Sequence, residues 1–312
     1  MAGIYIHIPF CHSKCAYCDF YSLGAPVDGL MRRYAAAVVK ELPMRIGELC
    51  GQDISTVYIG GGTPSAFPLP YLKRIIDALS ASGIDVSTLE EFTIEANPED
   101  LDEQWLCDVR SLGVNRVSMG VQSFDDGELA SVSRRHSSGR AKEALRLLSE
   151  SGVNYSADLI YGLPGQSLAG WKRNLETLLE YAPHHFSAYL LSYEPGTPLY
   201  GRLQKGEVVE TPESLAAEMY ATLCRMSRDS GYRHYEISAF CRPGYEARHN
   251  SSYWNFTPYL GLGCAAHSFS SGGLRSFNPP NLMAYLEHLE QGVSAAENDS
   301  ESEKDRLNDY II

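Results

Sequence analysis

One order of elements constrains this chain more than anything else: an apolar strand, a turn rich in Gly or Pro, then an amphipathic helix, repeated across residues 3–192. The period-2 apolar runs predict strands over 3–8, 56–59, 92–96, 116–121, 155–161 and 186–192. The helical spacings between them predict helices over 30–42, 71–79, 101–109, 140–148 and 168–179, with Pro70 suited to a first helical turn and Gly113 to a helix end. Strands that alternate with helices in this way build a parallel sheet covered by helices, so the expected class is α/β. The repeat lengths are irregular and not self-similar, which excludes a solenoid. After Pro195 the alternation stops. A helix is expected over 215–226, a strand over 234–240, a Gly, Pro, Asn and Ser-rich stretch to about Pro280, and a helix over 282–289. The acidic segment 296–305 reads as a linker. The apolar residues of 304–312 read as the first turns of a helix that a further domain, missing from this sequence, would bury.

Charge narrows the function. Lys and Arg number 26 against 39 Asp and Glu, a formal net charge of −13, which a phosphate lattice would repel; nucleic acid is excluded as a bulk-charge partner. The 44% hydrophobic and 11% aromatic content excludes a disordered chain. No apolar run approaches the roughly 20 residues of a membrane span, and the N-terminus lacks the features of a signal peptide, so no transmembrane segment and a cytoplasmic location are expected.

The eight cysteines are unevenly placed. Cys50, Cys107, Cys224, Cys241 and Cys264 are scattered and read as small apolar residues. Cys11, Cys15 and Cys18 instead form C-x3-C-x2-C directly after the first strand. Thiolates this close can converge on one inorganic centre, and soft sulfur ligands select zinc, copper(I) or an iron–sulfur cluster. Structural zinc usually takes four protein ligands, and no fourth cysteine lies nearby, although His12 could in principle serve. Three ligands on a four-iron cluster would leave one iron open to a small molecule. Further polar motifs come after successive strands, where a parallel barrel places its site: Gly60-Gly61-Gly62-Thr63-Pro64, Glu95 in IEANPE, Gln122 in MGVQSF, Arg134 in SRRH and Asp158 in DLIYGLPGQ.

The cysteine spacing, with Tyr17 between the second and third thiols, resembles the radical S-adenosylmethionine superfamily. That resemblance implies a [4Fe–4S] cluster on Cys11, Cys15 and Cys18, with S-adenosylmethionine chelating the unique iron. It implies cofactor contacts from Tyr5, Tyr17, Gly62, Thr63, Glu95, Gln122, Arg134 and Asp158. Within that set, Tyr17 would pack on the adenine, the GGGTP element would meet the methionine amino group, and Arg134 would pair with its carboxylate. The order YIHIPFC, GGGTP, IEANP, GVQSF and D-x-x-x-GLPGQ, over residues 3–280, resembles the oxygen-independent coproporphyrinogen III oxidase family.

That family divides into HemN-type dehydrogenases and HemW-type haem chaperones. The dehydrogenases carry another cysteine two places after the third; here that position is Phe20, which points to the HemW-type branch. His249-Asn250-Ser251-Ser252-Tyr253-Trp254 matches the HNxxYW pattern associated with haem in that branch, and a neutral imidazole is a normal axial ligand. The resemblance implies a partial (β/α)6 TIM-like barrel over 1–195, a mixed covering extension over 196–295 that carries HNxxYW, and over 296–312 a linker with the start of a truncated C-terminal helical domain. It implies haem as cargo, an acceptor protein, and an electron donor if the radical reaction operates. Two other functions stay open on the residues: decarboxylation of coproporphyrinogen III, against which Phe20 counts, and a zinc-stabilised interaction module.

Overall fold

The computed structural model describes residues 1–24 and 27–299. The expected helix over 304–312, and most of the expected linker over 296–305, lie outside those residues. The first half runs β1 Ala2–Ile8, β2 Phe10–Cys11, β3 Leu23–Gly24, α1 Asp28–Arg45, β4 Ile54–Gly61, α2 Leu69–Ala81, β5 Glu91–Ala96, α3 Glu103–Ser111, β6 Arg116–Gln122, α4 Asp126–Ser131 and α5 Ser138–Ser151. It continues with β7 Asn154–Tyr161, α6 Leu168–Glu180, β8 His185–Leu190, α7 Pro198–Gln204, α8 Glu213–Asp229, β9 Arg233–Glu236 and β10 Ala239–Cys241. The last elements are α9 Arg248–Trp254, β11 Tyr259–Leu262, β12 His267–Phe269, β13 Arg275–Phe277, α10 Leu282–Glu290 and β14 Glu297–Asn298.

One sheet holds twelve of these strands in the order β14, β13, β12, β11, β1, β4, β5, β6, β7, β8, β10, β9. From β11 to β8 every pairing is parallel, and the strands beyond on either side are antiparallel. The α/β architecture agrees with the sequence expectation, but the parallel run has seven strands where six were expected. The seventh, β11, comes from the Gly-rich stretch before Pro280 and pairs Gly3 with Tyr259 through Ile6 with Leu262. The sheet therefore continues unbroken from residues before position 195 into residues after it.

Alternation along the parallel strands separates two faces. Ile4, Ile6 and Ile8 of β1, Val57 and Ile59 of β4, Phe92 and Ile94 of β5, and Val117, Met119 and Val121 of β6 are buried in the core under the helices. The intervening residues are larger or polar: Tyr5, His7, Tyr58, Glu95, Ser118 and Asp158 among them, and these line two cavities on the other face. Side-chain caps start the covering helices where the sequence supplies them: Asp102 accepts from Trp105 N, Ser137 from Arg140 N and Ser167 from Gly170 N.

Three local expectations are corrected. Helix α1 continues through Pro43 to Arg45, past the expected end at 42, because buried Arg45 is held by Glu41, Glu48 and the Gly261 carbonyl. The expected strand over 234–240 is a hairpin, with β9 and β10 turning at Ile237 and Ser238. The stretch before Pro280 contains helix α9 besides β11, β12 and β13.

The C-terminal strands are fastened to α1 by a fully buried carboxylate. Glu41 accepts hydrogen bonds from Arg45 Nη1 at 2.9 Å, Asn278 Nδ2 at 2.7 Å, Tyr285 OH at 2.7 Å and Gly263 N at 2.8 Å. Deleting this carboxylate leaves buried donors, the Tyr285 hydroxyl and the Gly263 N–H, without their acceptor. Glu41→Ala should cost about 3–5 kcal/mol in urea denaturation. Glu48→Ala, which removes the more exposed carboxylate on Arg45, should cost at most about 1 kcal/mol.

Candidate functional site

The cysteine loop leaves β1 and is closed at its base by the two-residue ladder of β2 and β3, pairing Phe10 with Leu23 and Cys11 with Gly24. Beside it the glycine run ends β4. Gly62 N donates to Ile8 O and Thr63 N to Phe10 O, both at 2.8 Å. A Cβ at Gly62 would stand 2.8 Å from the Phe10 carbonyl, so only glycine lets the two loops lie against each other. All three thiols are free and line one cavity of about 500 Å³.

Tyr17, Gly62, Thr63, Glu95, Gln122, Arg134 and Asp158 line this same cavity, so folding brings together residues from Cys11 to Asp158. Thr63 Oγ1 donates to Cys11 Sγ at 3.2 Å, and Arg134 Nη1 to Cys15 Sγ at 3.3 Å. Arg134 Nη2 also donates to Gly120 O at 2.6 Å and Asn97 Oδ1 at 2.8 Å. Gln122 has a φ of 67°, an uncommon conformation for a side-chain-bearing residue, at the register shift that ends β6. Asn97, Tyr58, Ser118 and Ser187 line the cavity too and were not singled out from the sequence. Asn97 was detectable, since it stands within IEANPE two positions after Glu95; the others carry no local signal beyond alternation.

The electrostatics suit a charged ligand. Burial pushes the Cys11 thiol up and Cys18 to about 11, with neighbouring Cys15 adding repulsion. Both therefore carry protons near neutrality that a bound metal would displace. Among the described residues, Arg134 Nε and Arg116 Nε are buried without a hydrogen-bond partner, which leaves donor capacity for an anionic or hydroxyl-bearing group. Glu95 accepts from Tyr58 OH at 2.8 Å and Gly61 N at 3.0 Å. Burial nevertheless lifts its carboxyl to about 7, and burial also raises Asp158, which accepts from Ser118. Among the described residues, no three Cys, His, Asp or Glu side chains are grouped as ligands of a single metal ion. A four-iron cluster takes one thiolate per iron and so spreads its ligands more widely.

A second cavity of about 690 Å³ opens beside the first, and Asp19 and Phe20 line both. Tyr253, Trp254 and Phe256, at and after the end of α9, line it with Tyr5, Tyr259 and Phe269; Tyr253 packs edge-on to Tyr259 at 4.8 Å and Phe256 lies 6.0 Å from Phe269, ring centroid to ring centroid. Phe20 is 70% exposed and Trp254 59%, an apolar display that a free surface rarely carries.

Two expected site residues stand elsewhere. Tyr5 lines the second cavity, its hydroxyl on His7 Nδ1 at 3.0 Å, and does not line the cysteine cavity. His249 lines neither. It is fully buried, with Nδ1 on Thr56 Oγ1 at 2.9 Å and Nε2 on Tyr253 OH at 3.1 Å, and stacked with Tyr58. Burial lowers its pKa to about 4. The expectation that this imidazole faces a ligand therefore does not match its packing: Gly3, which has no side chain, leaves room for the ring against β1 and β4. What HNxxYW presents to the aromatic cavity is Ser252, Tyr253 and Trp254, while Asn250 lines the cysteine cavity.

Three cysteines at the head of a parallel α/β sheet, above a ring of strand-end polar residues, define a radical S-adenosylmethionine protein. The family model of the radical SAM superfamily matches residues 5–178. The chain is 37% identical to heme chaperone HemW of Bacillus subtilis, over 92% of this chain and 76% of the relative. It is 36% identical to heme chaperone HemW of Escherichia coli, over 85% of this chain and 69% of the relative. The chain belongs to the HemW family of the radical SAM superfamily. Membership implies a [4Fe–4S] cluster and S-adenosylmethionine. The solved coproporphyrinogen III oxidase HemN of Escherichia coli superposes with a TM-score of 0.83 at 23% identity, covering 99% of this chain and 74% of that one, a likeness of fold.

A carboxyl whose folded pKa lies above its unfolded one keeps its proton in the native state over the interval between them. The native state then binds more protons, and stability falls as pH rises through that interval. For Glu95 the interval runs from the ordinary glutamate value of 4.5 to about 7. Glu95→Gln should flatten the fall in urea midpoint between about pH 4.5 and about pH 7; an unchanged slope would count against this assignment.

Proposed function

We propose that the protein is a haem chaperone that takes haem in the aromatic cavity and hands it to an acceptor protein in the cytoplasm. One observation carries the reading: Phe20, at the position of the dehydrogenases' additional cysteine, stands on the shared rim of the cysteine cavity and an aromatic cavity of haem-compatible size. The similarity to curated heme chaperones supports it. No helix among the described residues is long and apolar enough to cross a membrane.

In this reading Cys11, Cys15 and Cys18 hold the [4Fe–4S] cluster, and Tyr17, Gly62, Thr63, Glu95, Gln122, Arg134 and Asp158 hold S-adenosylmethionine. Together the two cofactors supply one-electron chemistry, for which an electron donor is a further partner where the radical reaction operates. Arg134 pairs with the cofactor carboxylate while keeping its bond to Cys15. Glu95, whose carboxyl burial lifts to about 7, accepts from or donates to ribose hydroxyls, and Asp158, also raised by burial, stands beside the same group. Residues 1–195 form the cofactor barrel together with β11, and the other elements of 196–295 form its cover. His249 is a positioning residue that holds the Tyr253 hydroxyl and so fixes one wall of the haem cavity.

Anaerobic reconstitution should give about four irons and four sulfides per chain. Cys15→Ser should lose the visible absorption of the cluster, and full iron retention would count against the triad. The reconstituted protein should bind haem in a spectroscopic titration and form no protoporphyrinogen in a parallel coproporphyrinogen decarboxylase assay. Product formation without haem uptake would establish the alternative activity.

A further inference from the structure

We propose that His267 ligates the haem iron, a step that rests on the haem reading above. Two histidines line the aromatic cavity, His7 and His267, and His249 lies behind its wall. His7 is buried, with Nδ1 on Tyr5 OH at 3.0 Å and Nε2 on the Tyr21 carbonyl at 2.9 Å. His249 has both nitrogens engaged as well. His267 alone of the three is exposed, and no hydrogen bond to its imidazole is found among the described residues. Its ring stacks on Phe277 with centroids 5.7 Å apart at 29°, an arrangement that holds the ring while leaving its nitrogens unused.

The backbone around it is built for close approach. His267 pairs with Phe277 across β12 and β13, and a Cβ at Gly261 would run into the His267 carbonyl oxygen. Glycine at 261 thus lets β12 fold directly against β11 and fixes where the imidazole starts. Partial desolvation on the side packed against the protein lowers the His267 pKa, so the ring is neutral and its lone pair available near neutral pH. On the next strand, Arg275 lies over the Phe269 ring at 5.4 Å and lines the same cavity, a cationic group of the kind that propionates pair with. Phe20, Tyr253 and Trp254 supply the apolar contact a macrocycle needs.

The test is a hemin titration of the full chain, followed at the Soret band, for wild type, His267→Ala and His249→Ala, with circular dichroism as the folding control. His267→Ala should shift the Soret maximum and raise the hemin Kd by about tenfold or more, and added imidazole should restore the wild-type spectrum. His249→Ala should keep the wild-type Soret position, whatever it loses in affinity through Tyr253. A folded His267→Ala with wild-type spectrum and affinity, or loss of the wild-type Soret position in His249→Ala alone, would overturn the assignment. Wild type that takes up no hemin would instead overturn the haem reading itself, so the two failures are distinguishable.

Discussion

Everything at the site hangs from β1, which is hydrogen-bonded on both edges in parallel register, to β4 on one side and β11 on the other. Because the three strands point the same way, the segments that leave them collect at one end of the sheet and the segments that enter them at the other. The cysteine loop continues from β1 and the glycine run from β4, so they meet at the same end, stitched by the backbone bonds of Gly62 and Thr63. Helix α9 enters ahead of β11, where Glu91 of β5 accepts from the Arg248 N–H and buried His249 reaches Thr56. Adding β11 to β1 is what brings Tyr253, Tyr259 and Phe269 beside Tyr5 and makes the aromatic cavity.

Close approach of backbone is the second requirement, and glycine meets it at specific places. Gly61, with φ at 112°, leaves room for the His7 ring; Gly3 does the same for His249, and Gly261 for the His267 carbonyl. The first two free an imidazole ring to pack against the sheet, and the third lets the backbones of β11 and β12 meet. The buried carboxylates divide between two tasks. Glu41, fully satisfied by four donors, locks α1 to the C-terminal strands. Glu95 and Asp158 stand in the cavity wall with raised pKa values, the condition of groups kept for a ligand.

The two cavities share Asp19 and Phe20, the residues immediately after Cys18. A change in how the cysteines are held therefore reaches the aromatic cavity through two peptide units of the same loop. That adjacency puts the exposed Phe20 ring on the rim between the cysteine cavity and the aromatic cavity.

Much of this was legible in the sequence because it is local. Alternation and helical spacing identified β1 and β4 to β8, and C-x3-C-x2-C, GGGTP and the polar residues after the strands named the thiols and several polar walls of the cysteine cavity, since a residue at the end of a parallel strand has its position set by the strand itself. The chain also specified Phe20 and the HNxxYW segment. What it could not specify were contacts between segments far apart. Strand β11 is four residues with glycine at its third position, too weak a pattern to stand out until β1 offers it an edge. Tyr5 and His249 share motifs with ligand residues, yet the side of the sheet and the partner rings decide that one lines the aromatic cavity and the other is sealed beneath it. His267, which belongs to none of the motifs, gains its exposed imidazole from the way β12 folds onto Gly261. Local periodicity fixes which face a side chain takes, whereas burial and access depend on what the rest of the chain packs against that face.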